Sequence, residues 1–329
     1  MRLSGVWAFC LVFMVSPTHA YGSEADRSIA RNYPTKPIRI LVGASAGGGT
    51  DLVARLIGRK LGENWGTTVV IDNRAGGAGV VAMNILAQAP ADGHTISIAG
   101  NSLILAGAQE KAGSDIRATI DGVVQLTSQP YLLVVNPALP IKSVRDLVAF
   151  AKSRAGSLNY GSSGTGSPIH LGTELLCSMA GIKAIHIAYK GVGPALIDAM
   201  TGQIQFLLSN GIAAAPHLNS GKLKAIAVTT LTRTSLFPQL PTVAESGIPN
   251  YEHNNMYAVY APVSVNPAIL KALNAEFSRI VNSREIRDKL VADGAEPAPA
   301  MAQGAFRALY LREIEKWSRF IKESHLTLE

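Results

Sequence analysis

Cysteine is scarce in this sequence, with only Cys10 and Cys177 among 329 residues. A small fold stapled by disulfides needs a denser set and is excluded. Charged side chains make up 16% and hydrophobic ones 47%, so the chain is not disordered, a state that needs low hydrophobicity and high charge. The basic residues are scattered, with Lys183 to Lys190 the nearest to a cluster, and aromatics reach only 6%. No basic patch with stacking aromatics is available to nucleic acid, and none is expected as a partner. The 7 histidines show no H-E-x-x-H spacing and no C-x-x-C is present, so neither a metal nor another cofactor is expected. Glycine is plentiful at 31 residues but follows no G-X-Y period, which excludes a collagen-like chain. At roughly 100–200 residues per domain, the length suggests two domains with room for sizeable cores.

Arg2 precedes an apolar run from Val6 to Val15, followed by Ser16-Pro17-Thr18-His19-Ala20. The run is shorter than the roughly 20 residues a membrane span needs. A basic start, a short apolar centre and a small residue at the end predict a secretory signal at residues 1–20, with Ala25 a second cleavage position. Its removal takes away only Arg2 among charged residues, so a net charge of +7 becomes +6. The mature chain then holds one cysteine, Cys177, expected to be buried and inert. A modest positive charge is compatible with an anionic ligand.

The remaining chain alternates between strand and helix patterns. Ile38–Val42, Thr68–Ile71 and Thr95–Ile98 read as strands, separated by helices over 50–61 and 79–89. Further on, strands are expected at 131–135, 158–160, 184–188, 204–208, 223–228 and 256–260. Helices are expected at 144–152, 168–180, 194–201, 267–283, 283–292 and 303–323, with Ser143 as an N-cap. Such alternation predicts parallel sheets flanked by helices. No low-complexity linker divides the chain, so two lobes joined by crossing strands are expected.

Two glycine-rich loops join strands to helices. The first is Gly43-Ala44-Ser45-Ala46-Gly47-Gly48-Gly49-Thr50-Asp51, the second Tyr160-Gly161-Ser162-Ser163-Gly164-Thr165-Gly166-Ser167-Pro168. Glycine allows the backbone to turn sharply and offer N–H groups, and the following helix adds its positive end. Such a place suits a carboxylate or phosphate. Asp51 would repel an anion, so its charge is expected to turn aside and cap backbone N–H groups. Ser and Thr hydroxyls in the second loop can hold a carboxylate without a charged side chain. His170 is either a ligand contact or a capping and packing residue. The first loop lacks the Lys-Ser/Thr of a P-loop and the G-x-G-x-x-G spacing of a dinucleotide site. It does match G-x-S-x-G, the nucleophile elbow of serine hydrolases. That fold needs several strands before the elbow, and only about 20 mature residues precede Ser45. The histidines His170, His186, His217 and His253 follow, none marked as its partner. A secreted esterase using Ser45 is thus the enzymatic alternative.

A resemblance rests on motifs in order: Tyr33-Pro34-Thr35-Lys36-Pro37-Ile38-Arg39, the Gly-Gly-Gly-Thr-Asp loop, Asp72-Asn73-Arg74-Ala75-Gly76-Gly77 and Ala91-Asp92-Gly93-His94-Thr95. They continue with Ser162 to Pro168, Tyr189-Lys190-Gly191 with Pro194-Ala195-Leu196, Gly221 to Ala225, and Leu240 to Gly247. From about residue 33 to about 325 the chain resembles Bug-type solute-binding proteins, the extracytoplasmic receptors of tripartite tricarboxylate transporters. The resemblance implies a periplasmic two-lobe α/β fold of the periplasmic-binding-protein type II kind, with two crossover strands. It also implies a non-enzymatic receptor that grips an organic anion in its cleft, partly through ordered water. By position it points to Ala44, Ser45, Gly47, Gly48 and Asp51 in the first loop. In the second it points to Ser163, Gly164, Thr165, Gly166, Ser167 and His170. Ser102, Ser209 and Asn210 follow the third strand and Leu208. Asn73 and Lys190 are expected to be structural.

The expected lobes are residues 33–132 with 258–329, and 133–257, with Tyr131 and Tyr257 near the crossings. The expected partners are a small organic anion and membrane transporter subunits, with the chain a monomer. A periplasmic sensor for a signalling kinase would share this fold and ligand. Three features depart from the family pattern. Gly43 to Ala46 replace an aromatic and prolines, Met256-Tyr257 stands where Trp is common, and Asn101 to Leu105 is unusually apolar. They bear on the ligand rather than the fold.

Overall fold

The computed structural model describes residues 32–44, 46, 49–75, 79–109, 115–154, 156–292 and 294–324, with only the backbone of Ile212. The signal segment 1–20 with its alternative at Ala25, and Ser45, Gly47 and Gly48, lie outside the described residues.

The chain runs β1 (Ile38–Val42), α1 (Gly49–Trp65), β2 (Val69–Asn73), α2 (Val80–Ala87), β3 (Thr95–Gly100) and α3 (Asn101–Ala108). A short α4 (Ile116–Thr119) leads into β4 (Ile120–Val135). Next come α5 (Val144–Ser153), β5 (Asn159–Ser162), α6 (Pro168–Ala180), β6 (Ile185–Ala188), α7 (Val192–Thr201), β7 (Phe206–Asn210), α8 (Gly211–Asn219) and β8 (Lys224–Val228). The chain returns through β9 (Asn254–Pro262), α9 (Pro267–Val281), α10 (Arg284–Ala292), β10 (Glu296–Pro297) and α11 (Gln303–Glu323).

Local chemistry explains the main boundaries. Ser143 caps α5 by accepting from Asp146 N at 3.2 Å. Ser167 caps α6 by accepting from His170 N at 3.3 Å, and Pro168 stands where a missing N–H costs nothing. Gly181 ends α6 at φ 61°, in the left-handed region.

The strands lie in the order β2-β1-β3-β9-β4-β7-β5-β6, with β8 and β10 also paired to β4. β1 is parallel to β2 and β3, and β5 to β6 and β7, as the alternating pattern predicts. The 16-residue β4 is longer than the expected strand at 131–135. Its first part, through Pro130, pairs antiparallel with β9. From Tyr131 onward it pairs with β7 and β8. Pro130 cannot donate to a ladder, and it sits where β4 changes partner. Thr229 closes this point, since its Oγ1 accepts from Tyr131 N at 2.8 Å and its carbonyl accepts from His253 N at 3.1 Å.

Each lobe is a sheet with cores on both faces. In β1, Ile38, Ile40 and Val42 face α1 and α9, joining Ile57, Leu273 and Phe277. Leu41 points the other way, toward Leu86, Leu103, Tyr310 and Trp317. This is the alternation of a strand buried on both faces. In the second lobe Leu133 and Val135 join Tyr160, Leu176 and Phe206, while Leu132 and Val134 join Leu196 and Val228. Cys177 is buried in the first of these clusters, and burial pushes its thiol pKa up. The apolar segment after β3 is α3, with Leu103 through Ala106 all buried between β3 and α11.

Candidate functional site

The first loop is held by a polar knot at the start of α1. Asp51 is 1% exposed, so its carboxylate must be matched by donors. Asn73, the last residue of β2, donates to Asp51 Oδ1 at 3.0 Å and to the Ala44 carbonyl at 3.0 Å. Arg55, one turn along α1, donates to Asp51 Oδ2 at 2.9 Å and to Asn73 Oδ1 at 3.2 Å. The charge of Asp51 is thus turned toward Arg55, and Asn73 ties the loop to the neighbouring strand.

Three helix starts meet beside this loop. Gly43, Ala44 and Thr50 before and within α1, Gly79 and Ala82 at α2, and Gly100 and Ser102 at α3 line a cavity of about 40 Å³. That volume suits ordered water rather than an organic acid. The structure therefore brings Ala44 and Ser102 together.

Tyr257 on β9 approaches from the crossing. Its hydroxyl lies beside Thr50, Asn255 and Gln129, and burial raises its pKa. A Cβ on Gly49 would stand 2.6 Å from that hydroxyl, so the close approach requires glycine. Asn255 donates to Gln129 Oε1 at 2.9 Å. Tyr257 was expected near a crossing, whereas Gln129 and Asn255 carry no sequence signal, because their side chains meet only when β4 and β9 pair.

The second loop is braced by neutral groups. Gly164 N donates to Ser162 Oγ at 3.1 Å, and Ser162 Oγ lies 2.6 Å from His186 Nε2. Gly166 has φ 72° and donates its N–H to His170 Nδ1 at 3.0 Å. The rings of His170 and His186 stack at 3.8 Å, and Tyr160 stacks beside them. Burial, with His186 as a second cause, pushes the pKa of His170 down to about 4. A neutral ring agrees with Nδ1 acting as an acceptor. Burial also lowers the pKa of His186 and raises that of Glu174, which accepts from the Tyr160 hydroxyl.

Among the predicted positions, Ser163, Gly164, Gly166 and Ser167 are half-buried and Thr165 is exposed. The His170 ring is 3% exposed and packs beneath the loop. Ser209 is fully buried and donates to the Asn210 carbonyl at 3.1 Å. Asn210 caps α8, its Oδ1 accepting from Ala213 N at 2.8 Å. His186 and Gln109 also touch the second loop. Neither stood in a motif that marks a ligand loop, and no local signal would have found them.

No group of three or more metal-ligating side chains gathers among the described residues. No helix among them is long and apolar enough to cross a membrane.

Known proteins are similar to this chain in sequence and fold. The family described as Tripartite tricarboxylate transporter family receptor, TctC, matches residues 53–326. Protein BugT of Bordetella pertussis is 33% identical over 332 residues, covering 100% of both chains. A solved R. palustris structure with adipate is 35% identical, with a TM-score of 0.73 over 88% of this chain and 97% of that one. MatC from Rhodopseudomonas palustris with bound malate is 28% identical, with a TM-score of 0.71 over 88% and 100% of the two chains. Its sheets joined through β4 and β9 are those of a two-lobe periplasmic binding protein, and the chain belongs to the TctC family of tripartite tricarboxylate transporter receptors.

Proposed function

We propose that this chain is a periplasmic receptor that holds a small organic acid between its lobes and delivers it to membrane subunits of a tripartite tricarboxylate-type transporter. The observation that carries this reading is the pair of glycine loops opening α1 and α6, one in each lobe. Backbone N–H groups, hydroxyls and helix ends would meet a carboxylate there, and no lysine or arginine stands among the candidate positions. The structures with adipate and malate support a carboxylate as ligand.

In this reading Ala44, Ser45, Gly47, Gly48 and Ser102 form one wall. Ser163, Gly164, Thr165, Gly166 and Ser167 form the other, with Ser209 and Asn210 at its edge. Asp51 and His170 shape the walls from behind. The lobes are residues 33–132 with 258–329, and 133–257, bending where β4 changes partner and where His253 leads into β9. Closing them removes water and strengthens each hydrogen bond to the anion. The closed form is what the membrane subunits recognise. Residues 1–20 direct export, and the receptor works as a monomer without turnover.

Thermal melting against a panel of organic acids, after refolding to remove carried-over ligand, tests the proposal. A ligand at a hundred times its Kd adds about 2.7 kcal/mol of stability, a clear rise in Tm. No rise across dicarboxylates, citrate and aromatic acids, with the protein folded, would overturn the receptor reading. Ester hydrolysis abolished by Ser45→Ala would replace it with the hydrolase.

A further inference from the structure

α3 links the two walls of the candidate cleft. Its first turn places Ser102 in the cavity beside the first loop. Its C-cap is Gln109, whose Nε2 donates to the carbonyl of Gly166 in the second loop at 3.1 Å. Eight helical residues make a rod of about 12 Å. The rod is held along its length, since Leu103, Ile104 and Leu105 are buried with Tyr310, Ile314 and Trp317 of α11. Leu171 of α6 packs into the same cluster, so the start of α6 leans on this rod as well.

Gly166 is gripped from both sides. Its N–H goes to His170 of its own lobe and its carbonyl to Gln109 of the other. Gln109 Oε1 is buried with no hydrogen-bond partner among the described residues and would stand 2.8 Å from a Cβ on Gly166. The amide therefore lies hard against the glycine. Other side-chain bonds join the lobes, among them Ser235 to Glu296 at 2.6 Å, Lys316 to the Glu252 carbonyl at 3.3 Å, Asn255 to Gln129 at 2.9 Å and Asn101, the first residue of α3, to the Asn254 carbonyl. None of these touches either glycine loop.

We infer that α3 is a strut between the two ligand loops and that Gln109 is its clasp, a positioning residue that sets the spacing of the loops and so the length of acid that fits. A glycine at positive φ has many conformations open to it, and with the lobes placed as they are here the clasp restricts Gly166 to one. The effect on affinity rests on the proposed receptor function; the clasp itself does not.

Hydrogen exchange in the unliganded protein at pH 8 separates the two. Gln109→Leu removes the donor. Gln109→Glu keeps the shape but presents an ionised carboxylate to the Gly166 carbonyl. Both variants should speed exchange of the amides from Gly164 to His170 about tenfold, with β1 and β2 unchanged. If Gln109 merely fills space, Gln109→Glu will exchange as the wild type does, and the inference falls. Acceleration spread evenly over both lobes would also overturn it, as a general loss of stability. Calorimetric titration with adipate and with malate reads the consequence. Loss of one hydrogen bond should raise Kd about two- to tenfold, with unequal factors for the two acids because they differ in length. Equal affinity of wild type and variants for an acid that binds would overturn the specificity role. Absence of binding to the wild type bears on the receptor reading alone, with exchange still deciding the clasp.

Discussion

The two glycine-rich loops each lead from a strand into a helix but are braced by opposite chemistry. The first rests on charge, with buried Asp51 held by Asn73 and Arg55. The second rests on neutral rings and hydroxyls, with His170 stacked on His186 beneath Ser162 and Gly166. A loop beside a carboxylate must have that charge satisfied from behind, or it would repel an anionic ligand. A loop beside histidines must keep them uncharged, and burial does so by favouring the neutral ring. The same helix-end geometry is therefore exposed to different threats, and each can be attacked separately.

Acid should separate the loops most. Burial holds His170 down to about 4 and His253 down to about 3, against about 6.5 for an exposed histidine. As pH falls below about 6.5 the unfolded chain takes up protons that the folded chain refuses, so stability is full above that value and drains away toward pH 4. Each ring should contribute a loss of about 3 kcal/mol over that window. Glu174, its pKa raised by burial, works in the opposite direction. Urea midpoints at pH 7 and 4.5 should differ less for His170→Gln than for the wild type. An unchanged difference would remove His170 from the account.

Asp51→Ala should come next, at about 2 kcal/mol, because the half-buried Asn73 amide loses its acceptor. Exchange should quicken around residues 44–51 while the second loop stays protected. Equal acceleration at both loops would show that the braces are not independent. Tyr160→Phe should cost about 1 kcal/mol by leaving the Glu174 carboxyl without its hydroxyl donor. It should loosen the second loop alone. Arg55→Ala should have the smallest effect in chemical denaturation, because its guanidinium is largely exposed and screened. A large effect would mean that Asp51 depends on that ion pair rather than on Asn73.

Much of the architecture was visible in local pattern. Apolar runs with β-branched residues marked β1, β2 and β3, and helical spacing marked α1. Ser143 and the Ser167-Pro168 pair marked helix starts that the structure places there. The misses have physical reasons. The first part of β4 carries Gly122, alternating Gln and Thr, and Pro130, so it lacks the signature of a central strand. It is a strand because β9 pairs with it. α3 is apolar on nearly every side, which hides the helical period, and α11 covers it. β10 is two residues long and exists only through its pairing with β4.

The sequence by itself determined the alternation of strands and helices, the two glycine loops and the family to which the chain belongs. The alternation and the loops follow from short-range rules, namely side-chain period, caps and the freedom of glycine, and the family from the order of its motifs along the chain. Only the tertiary structure decided that β4 changes partner at Pro130, that the His170 and His186 rings stack, and that Gln109 reaches Gly166. Residues 57 positions apart meet there because α3 packs under α11 and points its end at the second loop. No local rule encodes such a meeting, since it depends on how two cores bury their surfaces against one another.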